Sequence, residues 1–349
     1  MDGRTDDNRI RGAVYIPARA WNTYQLWREY DPEVIERDLG YAKSLGLNAL
    51  RLWCSYERWL EDREGLEKAM RHLFAEAERR SIRLLLSAFE GCGVEPERER
   101  FLDTDPWTAV CVASPGQAVI GNPASWRAPF AYLAWLIGTF AHHPALLALE
   151  PMNEPRHTVA STRFIRALFQ EARKLDATCR LSHAALGGVL MNIVVMDFHP
   201  EVLQTHDNFP RSAEAFEEEL RRAELLAEAL EKAVYISEWQ RVRTKGPGWE
   251  PGAILGPGEW EPDLASLAPS VYRHPSLGSF FWSLMLKPAY LPEQRPKGTL
   301  NGIFHEDGSV YSLADARAVS EDPSFTARER REWPAWASGI PKKAGVQGF

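Results

Sequence analysis

Short apolar runs alternate along this chain with longer stretches of helical periodicity, and that alternation restricts the fold more than any single motif. Runs over 12–16, 48–53, 82–87, 145–155, 180–186, 193–199, 233–239 and 277–284 read as strands. Between them the apolar positions recur every three to four residues. Asp31 and Pro32 open a helix as N-cap and first-turn proline; Ile35, Leu39, Ala42 and Leu45 line one face, and Gly46 closes it. Leu66, Met70, Leu73 and Ala77 mark a second helix, and Ile165, Leu168, Ala172 and Leu175 another. Residues 126–140 form an almost wholly apolar helix, Ser212 caps one that faces inward through Phe216, Leu220, Ala223, Ala227 and Leu230, and 312–320 is the last. Eight strands alternating with helices predict an α/β chain closed into a (β/α)8 TIM barrel: a single domain over 1–320 with long βα loops, and 321–349 as a surface tail of the same domain. A doubly wound open sheet would need a glycine-rich phosphate turn after its first strand, and the sequence has none there.

Two of these strands end on a glutamate. Residues 145–155 run apolar into Asn153 and Glu154 before Pro155 stops them, and 233–239 carry Glu238 at the same place. Burying a carboxylate at a strand end is costly unless it is paired or put to use. On the strand count these are strands four and seven, and in a barrel the reactive groups sit at the carboxyl ends of strands. Two glutamates so placed suit glycoside cleavage, in which one carboxyl protonates the leaving oxygen and the other attacks the anomeric carbon. A retaining pair stands about 5–5.5 Å apart and an inverting pair about 6.5–9.5 Å. The acid must keep its proton near neutral pH, which apolar surroundings and a nearby anion favour. Asn153 is placed to hydrogen-bond the sugar 2-hydroxyl, and Glu150, two side chains below Glu154, reads as a structural partner.

Composition narrows the alternatives. A net charge of −7 without a clustered Lys/Arg excess argues against nucleic acid as a partner. No apolar run approaches the ~20 residues that span a bilayer, so no membrane partner is expected. The N-terminus lacks the apolar core of a secretory signal, which together with the cysteines points to a cytoplasmic protein. Cys54, Cys92, Cys111 and Cys179 form no CxxC pair and read as free thiols, although Cys92 and Cys111 can meet within one loop. Thirteen tryptophans suggest either aromatic faces in a cleft that hold pyranose rings or plain core filling. The turn-rich stretches 94–125 and 241–262, the latter with Trp249 and Trp260, read as walls of that cleft.

Six stretches, taken in order, resemble the retaining glycoside hydrolases of clan A, particularly glycoside hydrolase family five and its cellulase-like relatives. They are Asn48-Ala-Leu-Arg-Leu-Trp53, Leu149-Glu-Pro-Met-Asn-Glu-Pro155, Asp197-Phe-His-Pro200, Ile236-Ser-Glu-Trp239, Ser279-Phe-Phe-Trp-Ser283 and Gly302-Ile-Phe-His-Glu-Asp-Gly-Ser-Val-Tyr311. The resemblance covers roughly residues 12–320. It implies Glu154 as acid/base and Glu238 as nucleophile. Arg51 would hold Glu238 ionised through a charge-assisted hydrogen bond, or else pair with Glu150. His199 would line the subsite where the bond breaks, and Trp282 would be the aromatic floor under the sugar ring. No metal and no organic cofactor is implied. Two departures stand out. The sixth strand of these enzymes often ends His-x-Tyr, with the tyrosine touching the nucleophile; here it reads His199-Pro-Glu201, leaving that role vacant or to another loop, such as His206. After Ser87 the acidic pair of some relatives is missing, and only Glu90 is offered.

The expectation is thus a retaining β-glycosidase that hydrolyses O-glycosidic bonds of β-linked oligosaccharides by double displacement. The alternatives are an endo-acting β-glucanase or β-mannanase with an open groove, and a non-catalytic carbohydrate-binding barrel. A metal-dependent barrel hydrolase is disfavoured, since no His-x-His follows the first strand. The sequence does not specify the sugar, exo or endo action, or the oligomeric state.

Overall fold

The computed structural model describes residues 9–106, 108–184, 195–244, 259–289 and 298–337. Its strands are β1 Arg11–Val14, β2 Ala49–Trp53, β3 Arg83–Glu90, β4 Leu146–Asn153, β5 Ser182–Ala184, β6 Val202–Asp207, β7 Ala233–Trp239 and β8 Gly278–Phe281. They form one sheet in the order β4-β3-β2-β1-β8-β7-β6-β5, and every pairing within it is parallel. Leu149 of β4 bridges Leu181 beside β5, its N–H donating to the Arg180 carbonyl at 2.9 Å, so the sheet closes on itself. The chain is a (β/α)8 barrel, as the alternation of apolar runs predicts.

The strands read as near-continuous apolar runs because both faces are covered, one by the barrel interior and one by helices. All five residues of β2 are buried. Most of the covering helices open on a side-chain cap, each worth about 1 kcal/mol. Asp31 caps Pro32–Ser44, Asp62 caps Arg63–Arg79, Thr158 caps Val159–Leu175, Ser212 caps Ala213–Leu230 and Ser312 caps Leu313–Ser320. Arg63–Arg79 buries Leu66, Met70, Leu73 and Ala77, the face read from the sequence.

Three differences from the sequence reading matter. The sixth strand is Val202–Asp207, not 193–199. Met196–Phe198 form a 3-10 turn that ends on His199 in the left-handed region (φ 50°), and the chain turns there before pairing begins. Val202 opposite Ser182 and Ala233 then fixes the register on both sides. Secondly, Leu264–Arg273 form a further helix, capped by Asp263, whose apolar pattern Pro269 interrupts just after a turn-rich stretch. Thirdly, every described tryptophan is buried or half-buried, so core filling accounts for most of the surplus. The predicted strand ends at 185–186, the first residues of 193–199, and Trp249 lie outside the described residues.

Residues 94–125 carry short helices at Arg98–Leu102 and Gln117–Ile120 and are stitched to the end of β3 where Glu90 and Ser114 exchange backbone hydrogen bonds of 2.7 and 2.8 Å. Past the last helix, Val310 bridges Glu329 and Trp333 is buried. No helix among the described residues is long and apolar enough to cross a membrane.

Candidate active site

Alternation along β2 turns Arg51 and Trp53 into the barrel, and Arg51 becomes the hub of the carboxyl-end face. Its guanidinium is fully buried and lies over the Trp53 ring, 4.7 Å from the centroid. Nη1 donates to Glu238 Oε1 at 2.6 Å, while Nη2 donates to Glu150 Oε2 at 3.0 Å and to Asn153 Oδ1 at 2.6 Å. Arg51 thus hydrogen-bonds Glu238 and Glu150 at once. Burial works against its charge, but Glu150 and Glu238 more than offset that, and its pKa rises. Ser87 of β3 donates to Glu150 from the other side.

Glu238 and Glu154 are delivered by different devices. On β7 one extra residue is inserted opposite β6: Thr205 faces Ile236 but His206 faces Glu238. Such an irregularity at a barrel rim re-aims a side chain, here that of Glu238. Glu154 follows the last residue of β4 with φ 38°, a backbone conformation few non-glycine residues adopt. Gly91 lies against that turn so closely that a Cβ there would sit 2.3 Å from the Glu154 carbonyl oxygen, so glycine is required.

His206, near the end of β6, joins the two acids. Its Nδ1 is 3.0 Å from Glu154 Oε1 and 3.9 Å from Glu238 Oε1. One ligand atom from each of Glu154, His206 and Glu238 lies within 4.8 Å of the others, so carboxylate oxygens of the two glutamates approach that closely. Burial alone would raise Glu154, yet the hydrogen bond and charge of His206, with Arg51 behind, bring its pKa below the ordinary carboxylate value. Burial alone would lower His206, yet Glu238 and Glu154 raise it. Both shifts favour a Glu154 carboxylate beside a His206 imidazolium, whereas apolar surroundings alone would favour the protonated acid.

Asn208 completes the set. Its Nδ2 donates to Glu238 Oε2 at 2.9 Å, so both oxygens of that carboxylate are held. Glu90, opposite Asn153 in the β3–β4 pairing, accepts from Asn153 Nδ2 at 3.0 Å and from the Cys92 N–H at 2.7 Å. Burial first, then Cys111 and Glu154, push Glu90 well above the ordinary carboxylate range. Cys92 and Cys111 do meet as free thiols, with Cys111 Sγ 3.9 Å from the Cys92 carbonyl. Trp282 is buried against Trp53, ring centroids 6.0 Å apart at 67°.

Of the residues singled out from sequence, Arg51, Asn153, Glu154 and Glu238 share one hydrogen-bonded cluster with His206, and Trp282 packs on Trp53 beside it. His199 does not join them. It is exposed, before β6 rather than after it, and its carbonyl accepts from Arg173 at 2.7 Å. The reason is the strand boundary: β6 ends at Asp207, so the residues at its carboxyl end, rather than His199-Pro-Glu201, are His206, Asp207 and Asn208, with an asparagine and no tyrosine. A signal was available, since Leu203, Gln204 and Thr205 alternate into that histidine. A cavity of about 500 Å³ beside β6 is lined by His206, Asp207 and Phe209 among others, but by neither glutamate.

No family model matches the chain, and no curated protein does. Solved structures do. A GH5_18 protein of Streptomyces cattleya in complex with Manβ1-4GlcNAc aligns with a TM-score of 0.62 at 17% identity, over 92% of this chain and 82% of that one. An exo-β-1,4-mannosidase of an Opitutaceae bacterium, strain TAV5, gives 0.63 at 15% identity over 90% and 58%. A β-D-glucuronidase of Dictyoglomus thermophilum gives 0.58 at 13% identity over 93% and 52%. The fold is shared with these glycoside hydrolases. The chain spans about half the length of the glucuronidase, and the kinship expected from the six stretches is met at the level of the fold.

Proposed function

We propose that this chain is a retaining β-glycosidase acting by double displacement, with Glu238 as nucleophile and Glu154 as acid/base. The observation that carries the reading is the approach of the two carboxylates to within 4.8 Å, oxygen to oxygen, at the carboxyl ends of β4 and β7. Oxygens that close support a retaining pair, whose carboxyls stand about 5–5.5 Å apart, over an inverting pair at about 6.5–9.5 Å. In the first step a Glu238 oxygen forms a bond to the anomeric carbon, the bond to the leaving oxygen breaks, and that oxygen takes a proton from Glu154. In the second, Glu154 removes a proton from water, whose oxygen displaces Glu238.

The proton needed in the first step is held by the Glu154–His206 pair. Moved from His206 across the 3.0 Å contact to Glu154 Oε1, it leaves a neutral imidazole and a competent acid. Asn153, hydrogen-bonded to both Arg51 and Glu90, would face the sugar 2-hydroxyl, and Trp282 would support the ring. The substrate class is a β-linked oligosaccharide. The chain is read as working without metal or organic cofactor, in the cytoplasm, with no nucleic-acid or membrane partner.

The test is product release from aryl β-glycosides and β-linked oligosaccharides, with β-mannosides and N-acetyl-β-glucosaminides included, beside Glu154→Gln and Glu238→Gln. Release from one sugar class with retained anomeric configuration, lost in both variants, is expected. Silence across the panel with sugar binding still measurable by calorimetry would instead make the chain a binding barrel.

A further inference from the structure

We infer that Asn208 reads the substrate as well as positioning the nucleophile: its amide oxygen accepts a hydrogen bond from a hydroxyl of the sugar bound against Glu238. The inference rests on the reading of Glu238 as the group that faces the anomeric carbon.

The orientation of the amide is fixed by chemistry. Glu238 Oε2 as a carboxylate oxygen can only accept, so the Asn208 atom 2.9 Å from it must be the NH2 nitrogen, and the carbonyl oxygen must point away. The segment is tethered as well, since Gln240 Nε2 donates to the Asn208 backbone carbonyl at 2.8 Å. That leaves Asn208 Oδ1 buried and, among the described residues, without a donor. Two nitrogens of the cluster, Arg51 Nε and His206 Nε2, are likewise buried without a partner among the described residues, but the neighbouring acceptors are paired. Asn153 Oδ1 accepts from Arg51, both Glu90 oxygens accept from Asn153, and Glu238 Oε1 accepts from Arg51. A buried acceptor left without a donor is unfavourable, and one on the residue that holds Glu238, where the neighbouring acceptors are paired, points to a hydrogen bond that a ligand completes. The complement to a carbonyl oxygen is an O–H or N–H, which a glycone supplies in its hydroxyls.

Asparagine differs from the expected tyrosine in this respect. A phenol donating to the nucleophile offers one oxygen for both tasks, whereas an amide separates them: nitrogen to Glu238, oxygen to the sugar. A site that hydrogen-bonds a substrate hydroxyl discriminates strongly against the analogue lacking it, because the site's own polar group is then left unpaired.

The experiment is a cycle of kcat/KM for a cleaved aryl β-glycoside and its 2-, 3-, 4- and 6-deoxy analogues, with wild type and Asn208→Ala. Wild type should lose about tenfold or more on one deoxy analogue. In Asn208→Ala the parent and that same analogue should react alike, whatever the overall fall caused by loosening Glu238. Parent-to-analogue ratios unchanged at every position would overturn the inference. Should Asn208→Ala fail to fold, Asn208→Ser serves the same cycle. A wild type that cleaves no parent glycoside defeats the glycosidase reading alone; the cycle then runs on calorimetric Kd values for the methyl glycosides and their deoxy analogues, where unchanged ratios overturn the inference separately.

Discussion

Arg51 and Arg241 are built from the same parts. Both are buried, both lie over aromatic rings, and both reach a buried carboxylate. Arg241 donates to Asp315 Oδ2 at 3.0 Å and to the Leu300 and Gly302 carbonyls at 3.0 and 3.1 Å, and the other Asp315 oxygen takes the Ala265 N–H at 2.9 Å. It ties the end of β7 to the chain around 300–302 and to two helices, and backbone groups complete its set. Arg51 is surrounded by side chains alone: Glu150, Asn153 and Glu238, with Glu238 on the rim of the barrel. One ion pair closes a scaffold and the other holds the proposed nucleophile. Burial and charge do not distinguish them; what completes the carboxylate's coordination does.

The largest effect that sharpens this contrast is expected at Glu238. Glu238→Gln preserves shape but removes the attacking oxygen, so kcat should fall on the order of 10⁴-fold while thermal unfolding stays cooperative. Wild-type turnover in single-turnover hydrolysis would remove Glu238 from the nucleophile's role.

Removing each arginine tests the comparison directly. Arg51→Met leaves Glu150 and Glu238 buried without their guanidinium, and Arg241→Met strands Asp315; each should cost about 3–5 kcal/mol in denaturant unfolding. Turnover per folded molecule should separate them, being lost in Arg51→Met and within a few-fold of wild type in Arg241→Met. Equal kinetic loss in both would break the distinction between scaffold and site.

How much of this was legible in the sequence follows from the same contrast. The barrel could be read because strands covered on both faces must be apolar throughout and their helices need caps, both local signals. Glu154 and Glu238 could be read because each ends such a strand. His206 and Asn208 were harder to place, because their position depends on where β6 begins, and apolar residues before Pro200 imitate a strand better than the short alternation of Val202–Asp207 does. The Glu154–His206 pairing was out of reach: which of two neighbours carries a proton depends on a 3.0 Å contact between residues 52 apart. Arg241 offered no signal, since backbone carbonyls from a distant loop complete its set.

Lys287 extends the comparison to a cation treated differently again. Its ammonium is buried, donates to the Ala20 carbonyl at 2.7 Å, and is pushed by burial down to about 7 from 10.5. Between those values the unfolded chain binds the proton and the folded chain does not, so this residue makes stability rise with pH from about 7 to about 10. Lys287→Met should therefore be more stable than wild type at neutral pH, by roughly 2–4 kcal/mol after the lost hydrogen bond is counted, and the gain should shrink as pH approaches 10. A destabilised variant at pH 7 would show that the amine is held charged, as the arginines are.

The smallest and most diagnostic effect concerns His206. Its folded pKa is raised, by Glu238 first and then by Glu154, and that of Glu154 is lowered by the hydrogen bond and charge of His206. The histidine's share of stability is present below its unfolded value near 6.5 and is lost as pH rises through its higher folded value. The glutamate's share is present above its unfolded value near 4.5 and is lost as pH falls through its lower folded value. The stability difference between wild type and His206→Gln should consequently be a plateau of roughly 1.5–3 kcal/mol that falls away on both sides, rather than a step. Because the same proton serves the acid, the alkaline limb of kcat/KM in wild type should lie above the ordinary histidine value and move downward in His206→Gln, where Glu154 must hold the proton by burial alone. Unfolding measured across about pH 4–9 decides between the two arrangements: a difference independent of pH would mean that the side chains meet as neutral partners, and that the proton delivered to the leaving oxygen is not stored between them.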